Sequence, residues 1–185
     1  MRQFGPPFPV KPFCAVMAHS DDELIQTQKL LKPLLGEVES ASTPYTVSTF
    51  TQYYENEMGT ELRKQFLAFR GVKSVADMNQ FKFFTADIED QFRENGNRTI
   101  NLDPGYLTLD KLVLYTTKNF THRIYLEHGL FAEITLTYSR TGWRTHSWTY
   151  PDFQTPEALT FFTQMRQELY HQLQATGDLP GFKMK

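Results

Sequence analysis

Phe13 to Ala18, six residues reading Phe-Cys-Ala-Val-Met-Ala, carry no charged or amide side chain, and two positions later the chain reaches Ser20-Asp-Asp-Glu23. An apolar run this short suits a buried strand. Ser20 and Glu23 stand at capping-box spacing, and Asp21 and Asp22 fall in the first turn, where the helix dipole favours negative charge. The spacing predicts a helix from Asp21, with Leu24, Ile25, Leu31 and Leu35 on its apolar face and Pro33 with Gly36 at its end. A buried strand running into an amphipathic helix points to a mixed fold.

Upstream, Pro6, Pro7, Pro9 and Pro12 lack amide donors and fix their own backbone angle, so residues 1–12 read as an extended, proline-rich arm. Residues 13–177 read as a single α+β domain, and 178–185 as a tail. Downstream, Tyr45 to Phe50 and Gln65 to Phe69 suit strands. Met78, Phe81, Phe84, Ile88 and Phe92 recur at helical spacing, and Asn95-Gly96 supplies a turn. A strand is expected at Arg98 to Leu102, followed by a turn at Asp103-Pro104-Gly105. Leu109, Leu112, Val113 and Thr116 then fit one face of a short helix capped by Thr108. Pro156 follows Thr155 at a helix start, and Leu159, Phe162, Met165, Leu169 and Leu173 form the stripe of a closing helix.

The order up to Leu102 is strand, helix, strand, strand, helix, strand. That is the plan of an antiparallel sheet with helices, a ferredoxin-like core extended by a helix, a β-hairpin and a C-terminal helix. With 15% aromatic and 40% hydrophobic residues, the 185-residue chain has ample apolar area for one core, which argues against disorder.

The hairpin at Thr121 to Tyr138 allows its register to be derived. A two-residue His128-Gly129 loop would pair Ile124 with Glu133 and put a charge on the apolar face. A three-residue loop, Glu127-His128-Gly129, instead pairs Leu126 with Leu130, Ile124 with Ala132 and Arg123 with Glu133. Ile124, Leu126, Leu130, Ala132, Ile134 and Leu136 then line the core, and Arg123, Tyr125, Phe131, Glu133 and Thr135 face the other way. As a surface ion pair, Arg123 and Glu133 contribute about 0–1 kcal/mol. In a cleft, the guanidinium fork suits a carboxylate or phosphate and Glu133 orients it.

Asn101 to Tyr106 read most simply as a type II turn with Pro104 and Gly105 at its centre. A functional reading makes Asp103 and Glu133 the catalytic groups, as general base or metal ligand, beside the ligand-binding residues Asn101, Tyr106, Lys118, Arg123 and Tyr125. His122 reads as a hydrogen-bonded core histidine, and His19 as a neighbour of the Ser20 cap. Tyr53 to Gly59 and Trp148 to Asp152 mix aromatic and acidic side chains, which suits either the edge of a core or the wall of a ligand site.

Several chemistries are unsupported. No phosphate-binding loop, dinucleotide-binding fingerprint or nucleophile elbow is present. One cysteine and five scattered histidines give no zinc-ligand spacing, an oxygen-ligated magnesium site stays open, and the cofactor is unknown. A net charge of −2 disfavours nucleic acid. No apolar run approaches the ~20 residues of a membrane span, no signal-peptide pattern opens the chain, and the expected compartment is the cytoplasm.

Asn101-Leu-Asp-Pro-Gly-Tyr-Leu-Thr-Leu, Lys111-Leu-Val-Leu, His122-Arg-Ile-Tyr-Leu, Ala132-Glu-Ile-Thr-Leu and Trp148-Thr-Tyr-Pro-Asp occur in fixed order. In this the chain resembles the microbial family catalogued as domain of unknown function 4416, from about Phe13 to Leu173. Asp103, Pro104, Gly105, Lys118, Arg123 and Glu133 match the family pattern. Some members carry a GTP-binding label, which the missing nucleotide loop does not support here. The resemblance names a family and no mechanism. The functional expectation is a protein that binds or acts on a small anionic metabolite or nucleotide, with catalysis left open. The alternative is a noncatalytic interaction module whose aromatic surfaces and proline arm contact a partner or a second copy.

Overall fold

The computed structural model describes residues 5–179. In chain order the elements are β1 (Pro9–Ala18), α1 (Asp21–Leu35), β2 (Val38–Ala41), β3 (Tyr45–Thr46), α2 (Glu55–Met58), β4 (Arg63–Phe69), β5 (Lys73–Ser74), α3 (Asn79–Gln91), β6 (Arg93–Glu94), β7 (Asn97–Arg98), β8 (Asn101–Leu107), β9 (Lys111–Thr116), β10 (Ile124–Glu127), β11 (Leu130–Ser139), β12 (Gly142–Thr145) and α4 (Pro156–Thr176). The protein is α+β. Ten strands form one antiparallel sheet with the path β10-β11-β9-β8-β1-β4-β2, and β6 with β7 make a separate ribbon across the Asn95-Gly96 turn.

β1 is the central strand, paired with β4 on one side and β8 on the other. Its alternate residues feed two cores. Cys14, Val16 and Ala18 pack with Leu24, Leu31 and Leu35 of α1 and Phe81 and Ile88 of α3. Phe13 and Ala15 pack with Phe66, Leu114, Phe153 and the Phe162, Met165 and Leu169 stripe of α4. The period of two in β1 thus places α1 and α3 on one face and α4 on the other.

The helices form for the reasons legible in their sequence. Ser20 Oγ accepts from Glu23 N at 3.2 Å, and Glu23 Oε2 reaches back to His19 N at 2.8 Å. Thr155 caps α4 through Ala158 N at 3.2 Å, with Pro156 at its first position. Pro33 lies inside the last turn of α1, and Gly36 closes the helix at φ 94°.

Several expectations are corrected. Of the residues expected in a proline arm, Pro9 to Pro12 belong to β1, with Val10 and Lys11 buried, while residues 1–4 lie outside the described residues, as do 180–185 of the tail. Tyr45 to Phe50 is strand only at Tyr45–Thr46 and then coils into a 3₁₀ turn at Val47–Thr49. Arg98 to Leu102 divides between β7 and β8.

The largest change concerns Asp103-Pro104-Gly105. These residues are extended strand within β8, opposite Ala15, Cys14 and Phe13 of β1. Gly105 is demanded by close approach and not by a positive φ: a Cβ there would meet Val113 O at 2.3 Å and the Phe13 ring at 2.7 Å. The turn comes later. Thr108 N donates to Lys111 O at 2.9 Å, so Leu109-Asp110 is the tip of a hairpin and the expected helix over Leu109 to Thr116 is strand β9. Leu112, Val113, Leu114 and Tyr115 are all buried, and a continuous apolar run of this kind fits helical spacing by accident.

The β10–β11 hairpin uses a two-residue loop, His128 (φ 45°) and Gly129 (φ 79°), and not the three-residue loop expected. A bulge at Leu126 then restores the offset, so Ile124 still pairs with Ala132. The faces agree with expectation in part: Leu130 and Leu136 are buried and Tyr125 is exposed, as expected, but others are not where alternation puts them. Ile124 is 67% exposed, whereas Glu133 and Thr135 are buried. Burial of Glu133 is tolerated because its carboxylate is paired, as described next.

Candidate functional site

β8 pairs with β9 only through Gly105, Tyr106 and Leu107, opposite Leu114, Val113 and Leu112. Toward Asn101 the two strands have no common register. Leu102 therefore turns its N–H and C=O to side chains of α3: Glu89 Oε1 accepts from Leu102 N, and Lys82 Nζ donates to Leu102 O at 2.8 Å. Where the strands part there is a cavity of about 400 Å³, lined by Asn101 and Asp103 of β8, Leu114 to Lys118 on the other side, Lys82 and Glu89 of α3, Lys64, Arg98, Glu133, Tyr54 and Tyr150.

Asp103 is one of its wall residues. Its Oδ2 accepts from Asn101 Nδ2 at 2.8 Å, and its Oδ1 lies 3.8 Å from Lys82 Nζ. Arg98 forks onto Glu57 with two bonds of 2.7 Å and donates to Asn101 Oδ1 at 2.7 Å, which fixes the Asn101 amide. This pairing holds Arg98 above and Glu57 below its ordinary pKa. Burial raises Glu89, with the Asp103 charge adding to it and Lys82 opposing. Lys64, on the cavity floor, donates to Asp152 Oδ2 at 2.7 Å, and Tyr45 donates to the same oxygen at 2.7 Å. Burial alone would raise Asp152, but the Lys64 charge and these two bonds outweigh it and hold the carboxyl below its usual value.

Glu133 rises from β11 opposite Leu114, with 1% of its side chain exposed. Its Oε2 accepts from Arg123 Nε at 2.7 Å and lies 3.1 Å from His122 Nε2. Its Oε1 is buried and has no hydrogen-bond partner. The remaining Arg123 nitrogens donate to Lys118 O at 2.9 Å and to Tyr150 Oη at 3.0 Å. Arg123 thus supports the wall and does not line the cavity. Burial, followed by the Glu133 charge, pushes Tyr150 up to about 12, although the residue is 41% exposed.

The structure brings Asn101, Asp103, Lys118 and Glu133 to one cavity, with Arg123 behind Glu133. Tyr106 instead packs against Tyr115 at 5.9 Å, and Tyr125 is exposed on the hairpin against Phe131. The two aromatic and acidic segments both arrive. Tyr53 bonds to Lys118 Nζ, which also sits 4.5 Å from the centre of its ring, and Tyr54 and Tyr150 line the cavity. His122 stacks on Trp148 at 4.8 Å, and Trp148 stacks on His146 at 4.9 Å. Lys64, Lys82, Glu89 and Arg98 were not singled out in the sequence. Lys82 and Glu89 lie one and eight positions past Phe81 on a helix whose buried stripe they share, and charges within such a stripe are a readable sign of internal partners.

A second cavity of about 390 Å³ lies against α4, with Glu157 its one charged wall residue. The charged groups gather at the first. Cys14 is fully buried, and burial raises its thiol, so it is no nucleophile.

The architecture defines an α+β protein with a charged cavity where two strands of an antiparallel sheet part, flanked by a helix that satisfies the parted backbone. The chain belongs to the family described as domain of unknown function (DUF4416), whose model matches residues 8–169. Neither the curated proteins nor the solved structures gave a match. Among the described residues no helix is long and apolar enough to cross a membrane.

Proposed function

We propose that the protein binds a small anionic metabolite or nucleotide in the cavity between β8 and β9. The observation that carries this reading is the charge pattern. Lys118 has no carboxylate within ion-pair distance among the described residues, only the neutral Tyr53, while Lys82 meets Asp103 only at 3.8 Å. Cations held beside a cavity with incomplete pairing suit an anion. Asp103, 30% exposed at its side chain, is the carboxylate best placed to exchange a proton with a bound molecule, and Glu133 is the second. The test is calorimetric titration of the full chain with inorganic phosphate, small phosphate esters and small carboxylates. Binding that weakens about tenfold or more in Lys118→Ala supports the reading. Equal affinity in that variant would count against it.

A second reading, a noncatalytic interaction module, draws on Phe120, Ile124, Tyr125, Leu126 and Trp148, all exposed around the edge hairpin. Light scattering across a concentration series checks its self-association form: a monomer at every concentration removes it.

A further inference from the structure

Two hydrogen-bonding groups of the cavity wall sit on one support, and one of them is buried without a partner. Arg123 donates from Nε to Glu133 Oε2 and from Nη2 to Tyr150 Oη, so one planar guanidinium holds the carboxylate and the phenol side by side. Glu133 Oε1 is left as a buried acceptor without a donor. Tyr150 Oη accepts from Arg123 and keeps its own hydrogen to give. The phenol is a lasting donor, because its pKa stands at about 12. His122 lies against Glu133 Oε2 and leaves Oε1 untouched.

The chemistry of the missing partner follows from what each class of group offers. An ammonium donates to Glu133 but has no lone pair for the Tyr150 O–H. A fully ionised phosphate or a carboxylate accepts from Tyr150 but brings no hydrogen to Glu133 and is repelled by its charge. A hydroxyl does both at once. The anionic end of the same molecule has Lys118 and Lys82 elsewhere on the cavity wall.

Resting on the anion-binding reading above, we infer that the ligand is a hydroxylated anion, a polyol or sugar carrying a phosphate or carboxylate. One of its hydroxyls bridges Glu133 Oε1 and the Tyr150 O–H. Arg123 is a positioning residue in this arrangement, since it acts through the two groups it holds and does not touch the ligand.

Matched probes test the assignment on the full chain by calorimetry: glycerol 3-phosphate against propyl phosphate, gluconate against hexanoate, and phosphoethanolamine as the amine member. The expected result is that the hydroxylated member of at least one pair binds about tenfold more tightly than its deoxygenated partner, the worth of one or two hydrogen bonds to otherwise unpaired groups. Whether that pair is the phosphate or the carboxylate identifies the anion. Tyr150→Phe should remove the preference and leave propyl phosphate or hexanoate binding as it was. Glu133→Gln should also remove the preference, with propyl phosphate or hexanoate bound no more weakly because a repelling charge is gone, and with its unfolding midpoint followed as the control for folding. Tyr150→Phe keeps the test decisive if Glu133→Gln does not fold. Equal binding within each pair, or tighter binding of phosphoethanolamine, overturns the hydroxyl assignment and leaves the anion site standing. Failure of every probe overturns both.

Discussion

The face of the sheet that carries α4 has two ends that differ in kind. At one end Phe13, Phe66, Phe153 and Phe162 meet ring to ring, with Phe66 and Phe153 at 4.8 Å and Phe13 and Phe162 at 5.6 Å. At the other stand Lys64, Asn101, Asp103 and Glu133. The same strands supply both: Lys64 is two residues from Phe66 in β4, and Asp103 is opposite Ala15 while Gly105 is opposite Phe13. Strand propensity therefore cannot account for the difference. The aromatic end packs its rings in edge and stacked contacts, with the second cavity beside it at Phe66 and Phe161 and no cation in that cavity's wall. The polar end stays open because β8 and β9 part there, and its charges are tied to one another with an acceptor and a donor left over. The aromatic end supplies stability, and the charged end uses it.

The division is broken most directly by Phe162→Ala. Phe162 is fully buried and touches Phe13, Phe66, Phe153 and Phe161, so the substitution should cost about 3–5 kcal/mol in denaturant unfolding. Probe affinity per folded molecule should be unchanged. A parallel loss of affinity would mean that the two ends are one cooperative unit.

Asp152→Asn strikes the joint between them, because Asp152 pairs with Lys64 on the cavity floor and precedes Phe153 in the aromatic end. It leaves a buried ammonium poorly paired and should cost about 2–3 kcal/mol at neutral pH. The pH dependence has a definite sign. The folded-state pKa of Asp152 lies below the ordinary 3.8, so its contribution is present above that value and is lost as pH falls through the folded one. The variant should lose stability less steeply on acidification. An unchanged acid limb in thermal melts would move the acid-sensitive charge elsewhere.

Gly105→Ala tests where the closed part of the β8–β9 pairing begins. A Cβ there meets a backbone carbonyl and a buried ring, and the expected cost is about 1–3 kcal/mol. A neutral result would show that β8 can move away from β9, and that the splay is set elsewhere.

This position also shows where local sequence stops informing. α1, α3 and α4 were legible because caps and apolar stripes act within a few residues, and β1 and β4 because an apolar run is a local fact. Asp103-Pro104-Gly105 has turn chemistry locally, and only the approach of Val113 and Phe13, which are distant in sequence, makes glycine a strand residue here. In the hairpin, the Arg123–Glu133 contact followed from register, since the Leu126 bulge offsets the shorter loop. Its face did not. Alternation assigns charge to solvent, and a buried glutamate becomes sensible only once Arg123 and His122 are known to meet it. In the same way Asp103, Asn101, Lys118 and Glu133 were legible as one neighbourhood, while Lys82 and Glu89 reach it through an unpaired stretch of strand that no local pattern announces.

The smallest effect, and the one that separates the two ends by pH alone, belongs to Glu89. Its side chain is 9% exposed, and burial raises its pKa above the ordinary 4.5. The folded protein therefore holds this proton more tightly than the unfolded chain, so the stability linked to Glu89 is present below 4.5 and declines as pH rises through the folded value. That slope is opposite to the one from Asp152. Glu89→Gln keeps a carbonyl oxygen for Leu102 N–H and removes the titration, so it should flatten the decline above 4.5 while changing stability at its maximum by about 1 kcal/mol or less. Thermal melts across the pH series read both limbs together. Phe162→Ala should lower the whole curve without changing its shape, because the four rings it touches carry no ionisable group. If Phe162→Ala reshaped the upper limb, or Glu89→Gln left it as it was, the pH response would not belong to the open end and the contrast between the two ends would fail.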